Sequence, residues 1–198
     1  MIAAIILAAG QSRRMGRPKM VLPWGETTVI GKVVRLLAEA GAAPLVVVTG
    51  GARQEVEEAL VGLPASPVFN PRFAEGEMAS SLQVGLSALP EECQAALVVL
   101  GDQPQIELAT VQGVMQRFRR TQSLLVVPSY HMHRGHPWLI ARALWPAVLA
   151  LKPGETMRDL LNAFAEQIDY LPVETATILH DLDTQEDYQR HRPPRTSA

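Results

Sequence analysis

The chain has 198 residues, enough to bury a full core in a single domain. Hydrophobic residues make up 47% and charged residues 19%, and a net charge of −2 excludes the basic footprint of a nucleic-acid-binding protein. Cys93 is the only cysteine, which excludes an intramolecular disulfide and any metal site with two Cys ligands and fits a reducing cytoplasm.

Residues 1–10 are apolar, but arginines follow them rather than precede them, the wrong order for a signal peptide. No apolar run is long enough to span a bilayer. Ile5-Ile6-Leu7 reads as a buried parallel strand ending in Ala8-Ala9-Gly10. Arg13, Arg14, Arg17 and Lys19 come next. Small residues let backbone N–H groups approach an anion, Arg adds bidentate phosphate contacts, and Lys adds a mobile charge. A strand ending in such a loop reads as a nucleoside triphosphate site; an ordinary turn with solvated cations is the plainer alternative. Walker A is excluded, because five residues separate Gly10 from Gly16 and Arg17 follows, and no G-x-G-x-x-G is present.

Val29-Ile30, Val33-Val34 and Leu36-Leu37 then recur at helical spacing up to Gly41. Residues 44–49 read as a second buried strand, 54–60 as a short helix, 68–69 as a short strand and 80–89 as a helix. Residues 95–100 form a third buried strand ending at Gly101-Asp102, followed by a helix over 106–120 and a strand over 124–127. This alternation implies an α/β fold with an open, mostly parallel sheet and helices on both faces. Ligands of such sheets bind at the carboxyl ends of the strands, so Gly10 and Asp102 are expected to share a crevice. Residues 130–139 read as a loop or hairpin, 144–151 and 156–167 as helices, and 168–173 and 177–179 as strands. Thr184 is placed to cap a last short helix. Residues 1–190 are read as one domain and 191–198, with Pro193-Pro194, as a disordered tail.

Asp102 is a hard oxygen ligand suited to Mg²⁺ at a strand end, or else a turn former ahead of Pro104. Asp181 and Asp183 form a second acidic pair, one of which could complete a metal site opposite Asp102; an acidic turn leading into a helix is the alternative. His131, His133 and His136 fit no standard zinc spacing. Asn70-Pro71 and Ser80-Ser81 are turn and helix-start chemistry first and ligand contacts second. Tyr130 and Trp138 offer faces for stacking, with core or rim packing the commoner fate.

Leu7-Ala8-Ala9-Gly10-x-Ser12-x-Arg14-Met15-Gly16-x-Pro18-Lys19 closely resembles the signature loop of the MobA-like nucleotidyltransferases. Asn70-Pro71, Ser80-Ser81-Leu82, Gly101-Asp102-Gln103-Pro104, Arg134-Gly135-His136-Pro137 and Asp181-x-Asp183-Thr184 follow in order and look like the molybdenum cofactor cytidylyltransferase branch. The resemblance spans roughly 5–188. It implies a Rossmann-like, GT-A-like nucleotidyltransferase fold and a Mg²⁺-dependent transfer from CTP, or alternatively GTP, to a phosphorylated small-molecule acceptor such as molybdopterin, with a sugar-phosphate acceptor or a non-catalytic cofactor-binding chaperone as the rival readings. A molybdoenzyme or its chaperone is a further candidate partner. By the same resemblance, Leu7, Ala8, Ala9 and Gly10 hold base and phosphates, with Asn70, Ser80 and Ser81 as further nucleotide contacts. Arg14 and Lys19 bind the triphosphate and act in catalysis with Asp102. Asp102 holds the metal, with Asp183 of the acidic pair as the candidate second ligand and Asp181 its alternative, and Arg134, Gly135, His136 and Pro137 face the acceptor. Ala9 stands where the guanylyl branch usually has Gly. Two departures are the charge at Gly76-Glu77-Met78, near the expected pocket, and Gln185 in place of Pro after Asp183-Thr184, expected to touch only the last helix.

Overall fold

The computed structural model describes residues 1–12, 15–75 and 78–194. Its first strand, β1 (Ile2–Ala8), is the opening apolar run. A small hairpin of β2 (Pro23–Trp24) and β3 (Thr27–Thr28) follows, then α1 (Val29–Glu39), β4 (Leu45–Thr49), α2 (Arg53–Ala59) and β5 (Ser66–Phe69). Next come α3 (Met78–Ser87), β6 (Ala95–Leu100), α4 (Leu108–Thr121), β7 (Leu125–Tyr130), β8 (His133–Arg134) and β9 (Trp138–Ala141). The last elements are α5 (Trp145–Leu149), α6 (Met157–Ala163), β10 (Ile168–Pro172) and α7 (Gln185–His191).

The main sheet runs β10-β7-β9-β6-β1-β4-β5, with β8 attached to β7. Pairing is parallel from β6 through β1 and β4 to β5, and again between β7 and β10. Alternation along β1 feeds two cores. Ile2, Ala4, Ile6 and Ala8 pack with α1, α2 and α4, whereas Ala3 and Ile5 pack with α3, α5 and α6. The helices therefore cover both faces, as the alternation of elements required. α1 begins where the Thr28 hydroxyl accepts the Gly31 N–H at 3.1 Å, and the chain turns at Gly41, whose φ is +83°.

Three expectations change. The segment expected as a loop or hairpin does make the β7–β8 hairpin, but it also leads into β9, which runs antiparallel between β6 and β7. β9 is four residues long and buried throughout, so it carries no alternation to read. Residues 177–179 belong to a 3₁₀ turn (Ala176–Leu179), not a strand. There the Thr175 hydroxyl accepts the Thr177 N–H at 3.3 Å, and this local cap overrides β propensity. Of the expected tail, His191 ends α7, and residues 195–198 lie outside the described residues.

Candidate active site

Register alone brings three loops together. Ala8 is paired with Thr49, and Leu7 with Leu100, so Ala9-Gly10, Gly50-Gly51 and Gly101-Asp102 all leave the sheet at one edge. The Leu7 carbonyl accepts the Gly101 N–H at 3.0 Å, and the Ala9 carbonyl accepts the Gly51 N–H at 3.3 Å. A Cβ at Gly50 would lie 2.4 Å from the Ala9 oxygen and 2.8 Å from its Cα, so only glycine lets β4 turn this close behind Ala9. A crevice of about 190 Å³ opens here, lined by Leu7, Ala9, Gly10, Phe73, Met78 and Ser81 among others. Ala8 faces the opposite way, into the core with α1.

The basic loop returns over this edge. Ser12 takes a left-handed φ of +48°, its carbonyl accepts the Met15 N–H at 3.0 Å, and its hydroxyl accepts the Lys19 N–H at 3.1 Å. The Lys19 ammonium donates to Asp102 Oδ2 and, at 3.1 Å, to Asp183 Oδ1. Burial works against that charge, but the field and hydrogen bond of Asp102, then those of Asp183, outweigh it and raise the Lys19 pKa above 10.5. Arg13 and Arg14 lie outside the described residues, as do Gly76 and Glu77.

The acidic partners arrive from the far end of the chain. Leu182 donates its N–H to the Asp102 carbonyl at 3.1 Å, which fixes residues 181–183 beside the end of β6. The Leu182 side chain closes a small core with Met15, Leu22, Trp24, Val29 and Tyr188. Asp181 accepts from Gln103 Nε2 at 2.6 Å, and burial, then the charges of Asp102 and Asp183, push its carboxyl above the usual range. α7 starts from a reciprocal cap between Thr184 and Asp187. Gln185 does not serve α7 alone: its Oε1 accepts from Arg17 Nη2 at 3.2 Å and ties the basic loop to that helix.

Among the described residues no group of three or more His, Cys, Asp or Glu is placed to hold a metal. The converging pair Asp102 and Asp183 nevertheless suits Mg²⁺. That ion is held by one or two carboxylates and completes its shell with water and substrate phosphates. The Lys19 ammonium already marks a cationic position between the two.

Asn70 is fully buried at the end of β5. Its Nδ2 donates to Ser80 Oγ and Ser81 Oγ, both at 3.0 Å, and its Oδ1 accepts the Arg72 N–H at 2.9 Å. These three residues join β5 to the first turns of α3, and of them Ser81 reaches the crevice.

A second cavity of about 520 Å³ adjoins the first, and Met78 lines both. Arg134, His136 and Trp138 line one part of it and Met157, Arg158 and Leu161 of α6 another. Arg134 is exposed and donates from Nε to Tyr170 Oη at 2.8 Å. Gly135 and Pro137 are buried, and a Cβ at Gly135 would meet the Ile178 oxygen at 2.4 Å. His136 is buried, stacks on Trp138 with ring centroids 4.2 Å apart, and hydrogen-bonds through Nδ1 to the Val98 carbonyl at 3.2 Å. Burial lowers its pKa to about 4, against a smaller opposing effect of the Val98 carbonyl.

His136 therefore binds fewer protons folded than unfolded. Its contribution to stability is complete above pH 6.5 and is lost as pH falls toward 4. We expect His136→Asn, whose amide can still donate to Val98, to remove about 3 kcal/mol of this acid dependence. Denaturant unfolding from pH 7 to pH 4, wild type against variant, measures it; parallel pH curves would show that burial does not hold the imidazole neutral.

Gly50 was not singled out from the sequence; Ser12 and Gln103 stood there within motifs but with no role assigned, and the helix expected over 156–167 was not placed at the site. A Gly-Gly pair directly after a buried strand was a readable signal for the first. α6 carries no motif.

A model of the MobA-like NTP transferase domain matches residues 4–169. The chain is 26% identical to the molybdenum cofactor cytidylyltransferase of Escherichia coli (strain K12), over 94% of this chain and 93% of that one. It is 29% identical to the nicotine blue oxidoreductase of Paenarthrobacter nicotinovorans, over 96% and 95%. The crystal structure of Rv0371c from Mycobacterium tuberculosis H37Rv superposes with a TM-score of 0.82 at 30% identity, covering 96% of this chain and 97% of that one. The same protein in complex with manganese gives 0.77 at 29% identity, covering 96% of each chain. The chain belongs to the MobA-like NTP transferase family and is a nucleotidyltransferase.

Proposed function

We propose that this nucleotidyltransferase transfers the cytidylyl group of CTP to a phosphorylated acceptor, with molybdopterin cofactor the favoured one. The observation that carries this reading is the meeting of Lys19, Asp102 and Asp183 beside a crevice that contains Ala9 and Gly10 and adjoins a cavity containing Arg134. The similarity to a molybdenum cofactor cytidylyltransferase supports it, and the manganese complex of a relative supports a divalent ion. A reducing cytoplasm is the compartment in which we place it, with a molybdoenzyme or its chaperone receiving the product.

An acceptor phosphate oxygen attacks the α-phosphorus of CTP in line. A new P–O bond forms, the bond to the β-phosphate oxygen breaks, and pyrophosphate leaves with both bonding electrons. The attacking oxygen is already anionic, so no strong general base is needed. The work of the protein is positioning and charge neutralisation. The 7–10 loop offers backbone groups to the nucleotide, and Arg14 adds positive charge to the triphosphate. Lys19 stays cationic through the physiological range and brings its charge to the same edge. Asp102 and Asp183 would hold Mg²⁺, which when bound neutralises charge on the phosphates. Asn70, Ser80 and Ser81 keep the start of α3 against the crevice.

CTP is preferred to GTP because the Ala9 methyl occupies space beside the base. One methyl gives about 1–3 kcal/mol of discrimination, so Ala9→Gly should weaken the preference without inverting it. The check is kcat/KM for CTP and GTP with molybdopterin as acceptor, wild type beside variant. A wild-type preference for GTP would remove the cytidylyl assignment. Absence of pyrophosphate release with every nucleotide would leave a cofactor carrier, or a redox activity like that named for the P. nicotinovorans relative, as the better reading.

A further inference from the structure

Three carboxylates stand close together beside Lys19, yet the ammonium takes only two of them. Asp181 lies within the fields of Asp102, Asp183 and Lys19. Lys19 nevertheless donates to Asp102 and Asp183. The Asp181 Oδ1 instead accepts from Gln103 Nε2 at 2.6 Å. Asp181 and Asp183 are two residues apart, so their spacing does not decide which of them serves an ion opposite Asp102.

Gln103 is 2% exposed, and its Nε2 also donates to the Ile178 carbonyl at 3.5 Å. Its Oε1 is buried without a partner among the described residues. A buried unpaired oxygen costs stability, so a side chain that keeps one is held here for its N–H groups. The Ile178 carbonyl does not depend on them, because it also accepts the His136 N–H at 3.1 Å. Asp181 is the acceptor that has Gln103 as its side-chain donor. Asp181 is also an exposed residue, so its carboxyl has room to turn once released. The Gln103 bond thus accounts for three neighbouring carboxylates that do not converge on one metal position among the described residues.

We propose that Gln103 is a positioning residue that ties Asp181 away from the cation position, so that Asp183 alone joins Asp102 there. The proposal rests on reading Asp102 and Asp183 as ligands of a divalent ion. Mg²⁺ is usually held by one or two carboxylates and keeps its other positions for water and substrate phosphates. A third carboxylate would take one of those positions.

The test measures Mn²⁺ binding to the full chain without nucleotide, from the loss of the free-ion electron paramagnetic resonance signal. Gln103→Met keeps the length of the side chain but has no N–H, and it frees Asp181. It should tighten Mn²⁺ binding by at least about fivefold, because affinity follows the number of charged ligands. Its thermal midpoint should stay near wild type, since the unpaired oxygen goes and Ile178 keeps His136. Asp181→Asn still accepts from Gln103 and should stay within about twofold of wild type, the scale of one screened charge. In the Asp181→Asn background, Gln103→Met should have no effect. A merely structural Gln103 would instead weaken Mn²⁺ binding in both backgrounds, and that result overturns the proposal. So does unchanged affinity in Gln103→Met. If Gln103→Met does not fold, the two acidic variants still decide: Asp183→Asn must lower Mn²⁺ affinity and Asp181→Asn must not. No Mn²⁺ binding by wild type removes both the proposal and the metal reading beneath it. The expected pattern without pyrophosphate release from any nucleotide would sink the transferase reading and leave this role in place.

Discussion

Asp102→Ala should retain its fold and lose at least about a thousandfold in pyrophosphate release, the upper scale for removing one preorganised transition-state charge contact. The backbone at 102 does not depend on the carboxylate, since its carbonyl is held by the Leu182 N–H and Gly101 is held by Leu7. Lys19 keeps Asp183 as a partner in the variant, so no buried charge is stranded. The thermal midpoint should fall by only a few degrees, equivalent to about 1 kcal/mol for a chain of this size. Turnover is followed by pyrophosphate release over a range of Mg²⁺, and the fold by circular dichroism. Near-normal turnover at limiting Mg²⁺ would take Asp102 out of the metal role.

Lys19→Ala should lower kcat by at least about a hundredfold and make stability depend on metal. Without the ammonium, Asp102 and Asp183 lose the cation they share, and the mutual repulsion that already raises the Asp181 carboxyl grows and destabilises the fold. A divalent ion that binds the folded state only should restore the lost stability by mass action. We therefore expect the variant to melt below wild type in chelator and to gain more than wild type on adding Mg²⁺. The wild-type contribution of Lys19 is complete below pH 10.5 and disappears only as pH rises beyond that, so ordinary buffers do not disturb the comparison. A rise in KM with kcat unchanged would assign Lys19 to uniform binding instead. Equal responses of the two proteins to Mg²⁺ would show that the carboxylates do not take the ion.

Much of this site was legible in the sequence because parallel strands are apolar throughout and their ends are marked. Ile5-Ile6-Leu7 and residues 95–100 are buried runs, and the loops that follow Ala8 and Leu100 fall together by sheet register. The helices were legible where an apolar face or a cap was present, as in α1 and α7. β9 was not, because a four-residue strand buried on both sides has no period. The position of Lys19 was not legible either. Its charge suggested phosphate, but that it rests between Asp102 and Asp183 depends on a left-handed Ser12 and on Leu182, 80 residues after Asp102, pinning its segment there. Gln103 stood within a motif, and nothing in its neighbours in sequence said that its amide would hold Asp181.

The Leu182–Asp102 hydrogen bond and the small core around Tyr188 also set an order of events during synthesis. Every strand of the sheet has left the ribosome once Pro172 is out, and Lys19 then has Asp102 alone to pair with. Asp181, Asp183 and the Tyr188 hydroxyl, which donates to the Pro23 carbonyl at 2.6 Å, emerge only afterwards. A nascent chain whose last residue outside the ribosome is about 175 thus carries a complete sheet without Asp181 or Asp183, so a stall at that point exposes a folded body whose site lacks those two carboxylates.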